Sequence, residues 1–218
     1  MNGSLKIQII DAVRTILVLL LLVTAVAGLA LFLTLLISPL LLRVPDHFLH
    51  LSKALVLRDY GHLLLYLILP WPQSPLTLAG IPMTDNAVAH FSDVRHLIIM
   101  TLWMTIVALI GAGLALRYEK RTWQLWKLSG PLKSLLALLI IVGLLAIADF
   151  DDFFIRFHYL AFSNMNWVFS ATDNPIINLF PDTFFATLFG IWWLFTILFL
   201  ALIQWCINRY LRRLIRKL

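Results

Sequence analysis

Two stretches of this chain carry side chains suited to moving protons near neutral pH. The first is His90-Phe-Ser-Asp93-Val-Arg95-His96; the second, Phe150 to Phe185, holds His158 among eleven aromatic residues. An imidazole titrates near pH ~6.5 when unperturbed, so it can take up and return a proton there. On a helix His90 and Asp93 share a face at i, i+3, and so do Asp93 and His96, so the carboxylate can orient either ring. Near His158 stand Arg156, Asn164, Asn166 and Trp167. The asparagine amides can hold a carbonyl or an oxyanion, or cap turns. Arg95 and Arg156 can stabilise developing negative charge or bind lipid phosphate. Trp167 also suits a membrane-interface anchor. The bland alternative is a satisfied interfacial helix end with one structural histidine.

Other chemistries lack their usual parts. There is no His-Glu-x-x-His helix and no cysteine–histidine spacing for zinc, so no metal and no cofactor are expected. No Gly-x-Ser-x-Gly elbow and no phosphate-cradling glycine loop occur. The single cysteine, Cys206, lies in the last apolar run and suits a small hydrophobe. What remains is histidine acid–base chemistry.

The elements that must position these residues are membrane helices. Of 218 residues 61% are hydrophobic and 13% charged, about half the usual charged share. The fold class expected is all-α integral membrane, a single transmembrane domain over 1–218. Four transmembrane helices are placed at about 15–38, 97–116, 132–149 and 184–207. Ala25-Val26-Ala27 resembles a signal-peptidase site, but the apolar run continues beyond it, so a retained helix ending near Pro39 is expected. The outer segments 43–96 and 149–183 are expected to contain interfacial amphipathic helices. Thr84-Asp85 marks a helix start.

Charge fixes the expected orientation. The N-terminus, middle loop and tail hold 12 Lys/Arg against 2 acids, whereas 43–96 and 149–182 hold 5 against 9. Lys and Arg concentrate on the cytoplasmic side, so the termini are expected inside and both long segments outside. That rule accounts for the net charge of +6 without nucleic acid. All six histidines fall in the outer segments.

The run AHFSDVR (89–95) resembles a His-x-x-Asp-Val signature. The run FHYLAFSNMNWVFSATDNPIINLFPDTFF (157–185) resembles a second: histidine, aromatic-Asn-Trp, then Pro-x-x-Phe-Phe. Together they are similar to the bacterial lipoprotein intramolecular transacylase family, Lit, over nearly the whole chain. The resemblance implies migration of the sn-2 acyl chain of a diacylglyceryl lipoprotein to the α-amine of its N-terminal cysteine, giving a lyso-form lipoprotein. It implies His90 and His158 as the catalytic pair, with His96 as fallback for the first. The chemistry then assigns His158 as base and His90, oriented by Asp93, as its partner, with the two roles exchangeable. Arg95, Arg156, Asn164, Asn166 and Trp167 are the expected oxyanion or substrate contacts. The partners implied are bacterial lipoproteins and membrane lipid, at the outer face of the plasma membrane. The rivals are a metal-dependent membrane hydrolase and a non-enzymatic accessory or chaperone protein.

Overall fold

A chain with four long uncharged runs must satisfy its backbone within each run, and helices do so without a partner segment. The computed structural model describes residues 3–71 and 74–216, and the regular structure among the described residues is all helical, with no strand. Six α-helices run in order: α1 (Gly3–Ile37), α2 (Lys53–Ile68), α3 (Asp85–Arg121), α4 (Trp126–Ala148), α5 (Phe150–Ala161) and α6 (Asp182–Ile215). Of these, α1, α3, α4 and α6 are long and apolar enough to cross a bilayer. The protein is all-helical, with four candidate spans.

The helices run further than the uncharged stretches did. α3 continues through His90, Asp93 and Arg95 at one end and Lys120 and Arg121 at the other. Charge ends a hydrophobic window but does not end a helix, because these residues keep good helix propensity. α4 starts at Trp126, not after Gly130-Pro131, and takes Pro131 inside it. Leu128 and Leu132 are buried on either side of this proline and pin the turn. Pro39 falls as expected, in a short 3-10 turn over Ser38–Leu40 that ends α1.

The helices contribute to two compact units. One comprises Met1–Leu31, Trp103–Leu145 and Trp192–Leu218. Its core gathers Val18, Leu22, Ala112, Leu128, Leu132 and Leu200. Two indoles cross-link it: Trp192 donates to Ala27 O at 2.8 Å and Trp193 to Leu139 O at 2.9 Å. The Trp193 ring occupies the space a side chain on Gly143 would need, so helix α4 must be bare there. Its polar end joins Arg14 to Glu119 at 3.0 Å and Asp11 to Lys127 at 2.6 Å. α3 closes on Trp123, whose φ of 60° is the left-handed cap of a Schellman turn, with Gln124 N–H on Glu119 O at 2.8 Å.

The other unit comprises Phe32–Leu102 and Ala146–Ile191 and contains both histidine segments. Its core is built from Val56, Tyr60, Leu63, Phe91, Ile176, Leu179 and Phe184. α2 lies in this core through one apolar face, and Asp59 shares that face. The Asp59 carboxylate is fully buried and accepts backbone N–H bonds from Ala79, Gly80 and Ile81 at 3.0, 2.8 and 3.2 Å. That clasp fixes the approach to α3. Thr84 then caps α3, its hydroxyl accepting from Ala87 N–H at 3.4 Å. Asn174, also buried, accepts from both the N–H and the hydroxyl of Thr84, at 3.0 and 3.1 Å.

Candidate functional site

α5 has a strongly apolar side and an acidic first turn, where Asp149 caps the helix and Asp151 and Asp152 suit its positive end. The last turn brings His158 to the buried side, 8% exposed. α3 presents His90, 7% exposed, from its second turn. The two imidazole rings face each other with centroids 5.9 Å apart. Aromatic walls enclose them. Phe162 lies 4.9 Å from His90 and 5.5 Å from His158, Phe169 lies 5.5 Å from His90, and Phe154 and Trp167 lie 4.2 and 5.0 Å from His158.

Each histidine has a distinct electronic setting. His158 Nδ1 is 2.7 Å from the Phe154 carbonyl oxygen. A carbonyl can only accept, so Nδ1 carries the hydrogen and, in the neutral ring, Nε2 keeps a free lone pair. His90 Nδ1 is buried and has no hydrogen-bond partner among the described residues. A buried polar atom without a partner carries a cost of about 1–3 kcal/mol, which a bound group can relieve.

Burial among the rings lowers the His158 pKa from the ordinary imidazole value, and the Phe154 carbonyl opposes part of that shift. Nε2 therefore stays an acceptor to lower pH than in a solvated histidine. The protonation midpoint of His158 is expected below pH ~6.5. Widening the box with Phe162→Ala admits water and is expected to move that midpoint upward. An NMR titration of the imidazole in both forms checks this.

A hydrogen bond staples the two signature segments together. Asn164 Nδ2 donates to Asp93 Oδ2 at 2.9 Å, across 71 positions of sequence. Asn164 also organises its own turn: its side-chain oxygen accepts from Asn166 N–H at 3.0 Å, and its carbonyl from Trp167 Nε1 at 3.1 Å. Asp93, expected to orient His90, is instead hydrogen-bonded to Asn164, and no hydrogen bond joins it to His90 among the described residues. Its hydrogen bond ties α3 to the turn that carries Trp167.

The remaining nominated residues lie elsewhere. Arg95 folds over Tyr66 and donates to the carbonyls of Tyr66, Leu69 and Trp71 at 2.8, 2.9 and 2.7 Å, gathering the C-terminal end of α2. That is the place a helix prefers a cation. Arg156 is exposed and pairs with Asp152 at 2.5 Å on its own helix. His96 is exposed and makes no ring contact with the pair. Among the described residues no three His, Cys, Asp or Glu side chains converge as metal ligands would.

The family described as lipoprotein intramolecular transacylase Lit matches residues 10–185, including both histidine segments. The chain belongs to the Lit family. The membrane-integral lipoprotein intramolecular transacylase Lit from Bacillus cereus has a similar fold, with a TM-score of 0.81 at 26% identity, covering 96% of this chain and 99% of that one. Two forms of the same protein, with one histidine replaced by arginine or by alanine, share the fold at 23% identity. Their TM-scores are 0.75 and 0.77; the first covers 99% of both chains and the second 100%. A search among curated proteins gave no match. Membership in Lit makes this a multi-pass membrane protein of a transacylase family, as the paired signatures and four apolar runs indicated.

Phe162, Phe169 and Asn174 were not among the expected site or support residues. The legible signal for the first two was aromatic density, whereas Asn174 acts through Thr84, 90 positions away.

Proposed function

We propose that this protein moves the sn-2 acyl chain of a diacylglyceryl-modified bacterial lipoprotein onto the α-amine of the lipoprotein's N-terminal cysteine. The observation that carries this reading is the buried His90–His158 pair, held in one aromatic box by two separate signature segments of a Lit-family chain.

The neutral α-amine attacks the sn-2 ester carbonyl, a carbon–nitrogen bond forms, and the nitrogen gives up one proton to His158 Nε2. The tetrahedral intermediate then breaks its bond to the glycerol oxygen, which takes up one proton. One proton is removed and one delivered, so the histidines end as they began and no net acid is consumed. His90 is the partner that hydrogen-bonds the oxygen side, since its buried Nδ1 has no protein partner. Asn164 keeps one amide hydrogen beyond its bond to Asp93, which remains for a developing oxyanion. Arg95 is engaged by three carbonyls and Arg156 by Asp152, which leaves them as supports of the fold. Because amine and ester belong to one molecule, rate gain comes largely from holding the folded lipid in attack geometry.

The charge asymmetry supports N-in/C-in topology, with α2 and α5 lying along the outer membrane face and the histidine box opening there. A lipid-anchored cysteine would then approach laterally from the outer leaflet. A synthetic diacylglyceryl-cysteinyl peptide offered to the purified protein is expected to become an N-acyl, lyso-glyceryl isomer of equal mass. The same peptide with an acetylated amine is expected to stay unchanged. Release of free fatty acid from the acetylated peptide would point to a hydrolase and overturn the reading.

A further inference from the structure

A second concavity, of about 380 Å³, lies between the 38–43 segment and the first turns of α6. That volume falls within the roughly 300–1,000 Å³ of ligand sites. Leu40, Leu41, Leu179 and Phe184 form apolar walls, and Arg43 stands on the rim. The groove is distinct from the histidine box. Phe184 lines it, whereas Phe185, a third of a turn further round α6, packs on Phe154 beside His158.

Three features define what the groove would take. Arg43 is its one charged lining residue, and it has no ion pair or hydrogen bond among the described residues. It is the first charge after the uncharged run 15–42, so it sits where apolar span gives way to polar chain. That is the level of lipid phosphates in a bilayer. The walls combine hydrocarbon from Leu40, Leu41, Leu179 and Phe184 with the hydroxyl-bearing Thr183 and Thr187, a mixed lining that suits a lipid's chain and headgroup together.

We propose that this groove binds an anionic phospholipid of the surrounding membrane, with the phosphate on Arg43 and one acyl chain along Leu40, Leu41, Leu179 and Phe184. The diacylglyceryl group of the proposed substrate carries no phosphate and would leave the arginine unused. The guanidinium presents a fork of donors that matches phosphate oxygens. The site goes beyond the transacylase reading and stands whether or not that reading does.

The test is native mass spectrometry of the delipidated full-length protein, titrated with phosphatidylglycerol, phosphatidylcholine or diacylglycerol. One phosphatidylglycerol is expected per chain, held about tenfold more tightly than either of the others. Arg43→Gln is expected to remove that preference. Leu41→Trp keeps the charge but fills the groove, and is expected to weaken binding likewise. Arg58→Gln removes an exposed cation on α2 outside the groove and is expected to change nothing. Unchanged binding in both Arg43→Gln and Leu41→Trp would overturn the proposal. So would equal loss in Arg58→Gln, equal affinity for all three lipids, or displacement by inorganic phosphate at lipid-like concentration. Each variant's melting temperature is measured alongside, and Leu41→Trp decides if Arg43→Gln does not fold.

Discussion

His158→Ala is expected to lower acyl transfer by about 10²–10⁴-fold, the range that removing a positioned acid or base produces. The expectation rests on the Nδ1–Phe154 carbonyl bond, which leaves Nε2 as the lone-pair nitrogen inside the box. Alanine also deletes a ring packed against Phe154, Phe162 and Trp167, so lost packing must be separated from lost chemistry. His158→Phe does this by keeping an aromatic ring without a base. Both variants are expected to lose activity to a similar degree, with the phenylalanine form retaining the higher melting temperature. Steady-state rates on the diacylglyceryl peptide, with melting curves in detergent, measure the two effects independently. More than a tenth of wild-type activity in either stable variant would remove His158 from the mechanism.

The second large effect is on stability and arises outside the site. Asp59→Ala is expected to destabilise the protein by on the order of 3 kcal/mol, because three backbone N–H donors lose a buried charged acceptor together. Asp59→Asn keeps one acceptor oxygen and is expected to cost less. The damage should reach activity as well, since residues 79–81 lead directly into Thr84 and the start of α3, which carries His90. Thermal unfolding is expected to rank wild type, Asp59→Asn and Asp59→Ala in that order. An unchanged melting temperature in the alanine form would mean the clasp adds nothing.

The sequence was most legible where physics is local. Uncharged runs of about 20 residues have one stable answer in lipid, so the four apolar helices could be placed from hydropathy. Pro39 and Thr84 are local stop and start signals, and both stand where the chain uses them. The C-terminal end of α3 was not legible, because Arg117, Glu119 and Lys120 interrupt hydropathy without interrupting the helix.

The site was half legible. His90 and His158 stood out by chemical type and by the two signatures, but their meeting at 5.9 Å is a tertiary fact that spacing does not encode. Asp93 shows the limit well. Helical spacing made a histidine its natural partner, yet Asn164 approaches from the other segment and makes the hydrogen bond. The partners of Arg95 were illegible for a related reason, since the carbonyls that engage it belong to α2 and the residues after it. Asp59 did carry a signal. Val56, Tyr60, Leu63 and Leu67 form an apolar helix face that includes it, and a carboxylate on such a face needs buried donors.

The most direct test of the central claim is fragmentation mass spectrometry of a lipoprotein's N-terminal tryptic peptide. The peptide is taken from cells that lack other N-acylating enzymes and express this protein or its His158→Ala form. With the wild-type protein the diacylglyceryl peptide is expected to convert to the isobaric N-acyl, lyso-glyceryl form, and with His158→Ala to remain unconverted. A wild-type peptide that keeps its free amine and both glycerol esters would contradict the proposed activity.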